Sequence, residues 1–409
     1  MEEQNTHKVQ GISLEKLGKE FGTPLYVYDG EKIVKQLLHL KQAFHGVDLK
    51  VKYAAKALTN ISILKLLRKH GAGTDVVSME EARIAMKAGF QGDEIMFTPS
   101  GVAFGEIEEA VGLGILVNLD NLPALEKFGK KFGDRHPLAI RLNPNIMAGG
   151  NLKISTGHEY SKFGISIEWM DEIKAVVKRY GIKVKGLHIH TGSEIVDTEV
   201  FVKMVEILTG AAGDFPHLQF IDLGSGFKVA YQDGDPVTDL DEVGKRVVEC
   251  VQQYQTRSGR KLEVWIEPGK YLVSEAGYLL VQVNVVKPTP ALTFVGVNSG
   301  LNHLIRPMMY GAYHHIVNVS NPGGPLKTYS VVGYICETDT LGSDRELAEV
   351  KEGDMLAILN AGAYSFSMSS NYNSRVKPPE VLVWQGKAHL IRKRQDWEDL
   401  IRDQIEIDF

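Results

Sequence analysis

The chain has 409 residues, a net charge of −5, 44% hydrophobic and 24% charged residues. That is an ordinary globular composition with length for two domains, at roughly 150 residues per domain. A slightly acidic chain without basic blocks or aromatic–basic interleaving argues against nucleic acid as a partner, and no apolar run reaches the roughly 18 residues of a membrane helix. Only Cys250 and Cys336 are present, so no disulfide framework is expected. With a polar start, MEEQNTHKVQ, that lacks a signal peptide's apolar core, the expected location is cytoplasmic.

In chain order, residues 13–21 (SLEKLGKEF) predict a short helix capped by Ser13, followed by the extended PLYVYD. Eight short apolar runs follow: LKVKYAAK (49–56), GTDVVS (73–78), EIMFTPS (94–100), ILVNLD (115–120), PLAIRLNP (137–144), KVKGLHIHTG (183–192), FIDLGSG (220–226) and EVWIEPG (263–269). Helix-like segments separate them, and strands alternating with helices predict a parallel sheet. Eight such units predict a closed α/β barrel of the (β/α)₈ type over residues 30–277. After that the texture changes. YLLVQVNVVK, LTFVGVN, TYSVVGYIC, DMLAILN and EVLVWQG read as strands without long helices between them. They predict a mostly β, barrel-like second domain over 278–409, completed by residues 1–29, with antiparallel strands. The tail QDWEDLIRDQIEI reads as an amphipathic helix.

The eight runs end on Lys56, Asp75, Thr98, Asp120, Arg141, His190, Gly224 and Glu267, and barrel active sites lie at the C-terminal ends of the strands. A lysine there can form a Schiff base with a carbonyl cofactor if burial lowers its pKa. A carboxylate such as Glu267 can keep a pyridine nitrogen protonated, making the ring an electron sink. The GSG of 224–226 and HTGS of 190–193 offer backbone N–H groups for a phosphate. His190 can stack on a planar ring. Taken singly, each has a commoner structural explanation; together they suit pyridoxal phosphate, with no metal. In the second region, Cys336 beside Glu337 can deliver a proton, though a lone cysteine is usually a small hydrophobe. Arg306 and Tyr310 can hold a carboxylate, Glu337 a cationic group, and Tyr364 a phosphate or substrate.

The motifs VKYAAKA, DVVSMEE, STG with SKFGI, GLHIHTGS, IDLGSGF, EPGK, IRPMMYGAYHHI, ICET and GAYSFSMSSNYNSR resemble, over nearly the whole chain, the alanine-racemase-like family of pyridoxal phosphate decarboxylases, in its diaminopimelate decarboxylase branch. The resemblance implies decarboxylation of meso-2,6-diaminopimelate to L-lysine. It casts Lys56 as the Schiff-base lysine, Glu267 as the partner of the pyridine nitrogen and His190 as the ring-stacking residue. Ser193, Gly224, Ser225, Gly226, Gly269, Lys270 and Tyr364 become the cofactor-binding set. Lys270, Arg306, Tyr310, Glu337 and Tyr364 become the substrate-binding set. Cys336 is implied as the proton donor, supplied across a head-to-tail homodimer. The chain departs from the family pattern at EPGK, where Lys270 replaces an arginine, at CETDT in place of CESGD, and at GSG in place of GGG. Those departures keep open a related decarboxylase acting on carboxynorspermidine or another polyamine or siderophore precursor, and a non-catalytic cofactor carrier.

Overall fold

All eight apolar runs form strands in the computed structural model, which describes residues 7–146 and 156–409; Ser155 of the STG motif lies outside them. The barrel strands, numbered first to eighth below, are Leu49–Ala54, Gly73–Val76, Ile95–Phe97, Leu116–Leu119, Leu138–Asn143, Val184–Ile189, Phe220–Asp222 and Glu263–Ile266. Each pairs in parallel with the next, and the eighth returns to the first through Val264↔Leu49 and Ile266↔Val51, closing the ring. A short extra strand, Ile165–Ser166, extends the fifth.

The connecting helices begin where the sequence places caps. Asn60, Ser78, Asn121, Asp197 and Asp239 each accept a bond from a backbone N–H in the first turn of the helix that follows, satisfying donors that would otherwise lack partners. The barrel unit comprises Val34–Val229 and Pro236–Tyr271.

Side chains two apart on a strand share a face, so inward positions rise through the barrel in layers. The lowest inward layer is apolar: Met96, Ala139, Phe220 and Trp265 pack together with Leu116 beside them. Phe220 and Trp265 stack at 3.7 Å and 5°. Lys52 lies with its Nζ 4.4 Å from the Trp265 ring centroid and donates to the carbonyl of Glu94 at 3.1 Å; burial, outweighing nearby carboxylates, lowers its amine to about 8. Gly186 makes this plug possible, because a Cβ there would stand 2.0 Å from Phe220 Cζ.

The other unit comprises the chain up to Ile33, Ala230–Asp235 and Leu272–Phe409. Its strands run, in sheet order, Thr340–Ala348, Leu326–Val332, Thr293–Val297, Gly277–Pro288, Leu25–Asp29, Glu380–Trp384 and Lys387–Arg392. Met355–Ile358 pairs with the long strand Gly277–Pro288 and with Ile316–Asn318. The early PLYVYD strand thus sits at the middle of this sheet. Two expectations need correction. The sheet is mixed, since Thr293–Val297 runs parallel to Leu326–Val332 and Leu25–Asp29 parallel to Glu380–Trp384. Long connections, rather than hairpin turns, join both pairs. The tail is helical only over Trp397–Ile401, behind an Asp396–Asp399 capping box. Ile405 and Ile407 are exposed, so no packed apolar face extends the helix. The Ser13-capped helix forms over Leu14–Phe21 and buries Leu14 and Leu17. Among the described residues no helix is long and apolar enough to cross a membrane.

Gly186→Ala should lower stability by about 2 kcal/mol or more, because a methyl group is forced into a fixed ring in a packed core. Denaturant titration of the two proteins checks this; an unchanged midpoint would refute the close approach.

Candidate active site

One step above the apolar plug the barrel interior turns polar. The inward residues there are Asp75, Thr98, Asn118, Arg141, His188, Asp222 and Glu267, all buried. They are linked across strands. Thr98 Oγ1 donates to Asp75 Oδ1 at 2.6 Å, and Asn118 Nδ2 reaches Thr98 Oγ1 at 3.4 Å and His188 Nδ1 at 2.7 Å. His188 Nε2 stands 3.4 Å from Glu267 Oε2. The guanidinium of Arg141 lies 4.8 Å from the centroid of the Phe163 ring.

Crowded carboxyls cannot all ionise in a low dielectric. Burial first, and Glu267 next, raise Asp75 and Asp222 well above the usual carboxylate range. Burial also pushes Glu267 up, but the proximity of His188 and then the charge of Lys56 outweigh it and hold its carboxyl at about 2. The anionic charge is therefore concentrated on Glu267. Burial lowers His188 against the pull of Glu267. Burial, with the charges of Arg141 and Lys56, takes His190 well below its ordinary value. Burial thus disfavours the charged form of both rings.

Lys56 lies in the one-turn 3-10 helix Ala55–Ala57, just past the first strand. It is exposed, which corrects the expectation that it is buried: the turn carries the side chain beyond the strand end. Its charge is nevertheless felt by Asp75, Glu81, His190 and Glu267. Glu267 follows the eighth strand and donates its N–H to the Gly224 carbonyl at 2.7 Å. Gly269 is buried beside it.

The glycine-rich loop has a role the sequence does not announce. Gly224 sits at φ +57, and a Cβ there would meet His190 Nδ1 at 2.5 Å. The residue is the seat of the His190 ring. Gly224 N–H donates to Asp222 Oδ1 at 2.8 Å and Ser225 N–H to His190 Nδ1 at 3.2 Å. Two of the N–H groups expected to cradle a phosphate are thus already bonded, one to Asp222 and one to His190. Gly226, at φ +109, abuts the carbonyl of Gly192, and its own carbonyl accepts from Ile195 N–H at 2.9 Å. The GSG and HTGS segments are therefore joined, with the half-buried Ser193 on the second. Lys270 Nζ pairs with Glu194 Oε1 at 3.0 Å, and Glu194 has the left-handed φ of +66.

The β-rich unit carries the remaining residues in two groups. Arg306 is buried, with its guanidinium 5.5 Å and 5.7 Å from the centroids of the Tyr231 and Tyr310 rings, and its Nε has no hydrogen-bond partner. Cys336 and Glu337 are exposed on a loop. Asn373 Nδ2 donates to Cys336 Sγ at 3.2 Å, and Tyr372 O–H to Glu337 Oε1 at 2.7 Å. Asp339 fastens that loop: its carboxylate accepts from Leu301 N–H at 2.6 Å and Ile335 N–H at 2.9 Å. The CETDT variation thus supplies an anchor that motif reading missed. Tyr364 is held at φ +55, a conformation that costs a bulky residue energy and clusters at functional positions.

The barrel residues fit pyridoxal phosphate. Glu267 Oε1 is buried with no hydrogen-bond partner among the described residues, and a buried carboxylate oxygen calls for a donor, which a protonated pyridine nitrogen would supply. The amine of Lys56 suits the aldehyde, and the histidine seated on Gly224 suits a ring face. His188, Asp222 and Glu267 also bring ligand-type atoms within 4.8 Å of one another. His188 and Asn118 were not singled out from the sequence. The alternation in HIHTG places His188 on the same strand face as His190, a signal that points to it.

Residues 30–274 match the family model of the pyridoxal-dependent decarboxylase pyridoxal-binding domain. The chain is 38% identical to the diaminopimelate decarboxylase of Methanothermobacter thermautotrophicus, over 97% of this chain and 95% of that one. It is 36% identical to that of Aquifex aeolicus, covering 98% and 96%. The crystal structure of the Methanocaldococcus jannaschii enzyme in co-complex with L-lysine superposes with a TM-score of 0.90 at 32% identity, covering 97% and 95%. The Helicobacter pylori enzyme complexed with L-lysine gives 0.87 at 34%, covering 95% and 98%. With similarity running almost end to end, the chain belongs to the pyridoxal-dependent decarboxylases, in the diaminopimelate decarboxylase family.

Proposed function

We infer that the protein decarboxylates meso-2,6-diaminopimelate to L-lysine and CO₂, the last step of lysine biosynthesis. The observation that carries this is the near-full-length similarity to diaminopimelate decarboxylases, two of which are seen with L-lysine, in a chain that keeps Lys56 and Glu267 at its barrel strand ends. Bound there, pyridoxal phosphate supplies an electron sink for the pair left on the α-carbon when CO₂ departs.

Each residue has a part. Lys56 is the amine that would hold the cofactor's aldehyde carbon and yield it to the substrate amine. Glu267 keeps its negative charge to face the ring nitrogen, and His190, neutral and backed by Gly224, covers a ring face. Ser193, the 224–226 backbone, Gly269 and Tyr364 would hold the phosphate, though the N–H groups of Gly224 and Ser225 are already bonded. Lys270, already joined to Glu194, together with Arg306, Tyr310 and Glu337, grips the distal amino-acid end. That end distinguishes diaminopimelate from substrates without a second carboxylate. Cys336 holds the proton that replaces CO₂, with Asn373 bonded to its sulfur. We place the protein in the cytoplasm as a homodimer in which Cys336 of the partner subunit serves the barrel. Retention of Lys56, Glu267 and Cys336 disfavours a non-catalytic carrier.

Lysine and CO₂ release from purified protein with pyridoxal phosphate, offered meso-diaminopimelate beside ornithine, lysine and carboxynorspermidine, tests the substrate. Turnover of a different amine would overturn it. Lys56→Ala should abolish turnover and Cys336→Ala slow it. Mixing those two variants should recover about a quarter of wild-type sites if a symmetric dimer shares its active sites; no recovery would refute the sharing. Gly224→Ala should weaken cofactor binding at least about tenfold (roughly 1.4 kcal/mol) by displacing His190. Titration of the cofactor-free protein with pyridoxal phosphate reads that loss, and unchanged affinity would refute the seat.

A further inference from the structure

Six of the seven residues in the polar belt of the barrel interior have no part in that chemistry, Asn118 and His188 among them. Their bonding has a direction. Thr98 has a single hydroxyl proton and gives it to Asp75 Oδ1 at 2.6 Å. Its oxygen accepts from Asn118, whose Nδ2 lies toward it at 3.4 Å. The same Nδ2 lies 2.7 Å from His188 Nδ1. That ring nitrogen must then be the acceptor, and the proton of a neutral ring resides on the other nitrogen. His188 Nε2 is 3.4 Å from Glu267 Oε2, and neither His188 Nε2 nor Glu267 Oε1 has a hydrogen-bond partner among the described residues.

We propose that His188 is a positioning residue, locked by Asn118 in its Nε2–H form so that this N–H faces Glu267 Oε2 and leaves Oε1 for the cofactor's ring nitrogen. The proposal rests on Glu267 being the partner of that nitrogen. It also assigns the cluster of His188, Asp222 and Glu267: an imidazole nitrogen that carries a proton offers no lone pair, so the trio orients a carboxylate and does not chelate a metal ion.

Three variants and one spectroscopic measurement decide it. Cofactor-free His188→Leu, His188→Gln and Glu267→Gln are titrated with pyridoxal phosphate, and the pH dependence of the bound cofactor's absorbance is recorded for each. Outer partners that orient a ligating group typically contribute a factor of about 10 to 100 in affinity. His188→Leu should therefore bind the cofactor about tenfold more weakly, with its absorbance profile moved toward that of Glu267→Gln. His188→Gln, whose amide can still donate to Oε2, should recover most of both. Wild-type affinity and absorbance in His188→Leu, alongside a changed Glu267→Gln, would overturn the role of His188 alone. No change in Glu267→Gln would overturn the Glu267 reading and this proposal with it. If His188→Leu does not fold, His188→Gln and ¹⁵N spectra of histidine-labelled wild-type protein still decide. A proton on His188 Nδ1 would refute the tautomer, and one on Nε2 supports it.

Discussion

The structure depends on one abrupt change of solvent inside the barrel. Below it, Phe220 and Trp265 stack over Met96 and Ala139; one inward step above, seven polar or charged side chains are buried in the same tube. Burying isolated charges is costly unless they are paired or neutralised. The barrel uses both remedies. Asp75 and Asp222 are driven toward their protonated forms, which leaves Glu267 as the site of negative charge, opposite Lys56 and Arg141. The apolar plug contributes by closing the lower end, so that the charged layer addresses only the mouth.

This architecture explains why the barrel was legible from sequence while part of the site was not. Each run ends where apolar alternation gives way to Asp75, Thr98, Asp120, Arg141 or Glu267, so the strand ends announce themselves. Caps such as Ser78 and Asp239 mark the helices in between. Asn118, His188 and Asp222 lie two positions before the run ends Asp120, His190 and Gly224, within strands, where a polar residue reads as a blemish in a hydrophobic run. Their meaning comes from neighbours on other strands, 20 to 79 residues away in the chain, and no local pattern carries it. Gly224 was legible as a glycine but not for its purpose, since the ring that demands it belongs to a different loop.

The β-rich unit was legible in its strands and not in their pairing. Leu25–Asp29 is short and separated by some 250 residues from the strand Gly277–Pro288 that it joins, and chain order alone predicts neighbours, not distant partners. The same limit applies to the loop of Cys336. Its anchor, Asp339, is buried only because Gly300 and Gly333 lack side chains, a Cβ on either standing within 2.2 Å of Asp339 Oδ2. A conserved-looking motif read residue by residue gives the thiol and misses the fastening.

The replacement of arginine by Lys270 follows from the same economy of charge. A guanidinium presents several donors in a rigid fork, whereas an ammonium is a compact point charge that one carboxylate oxygen can meet. Glu194 supplies that oxygen at 3.0 Å from a backbone at φ +66, directly after Ser193. The pair adds no net charge to a layer already balanced around Glu267, and it ties the EPGK turn to the HTGS loop. A fork placed there would leave donors unspent beside Glu194, available to a phosphate or a substrate carboxylate. With lysine, fewer donors are left at the EPGK turn for an anion.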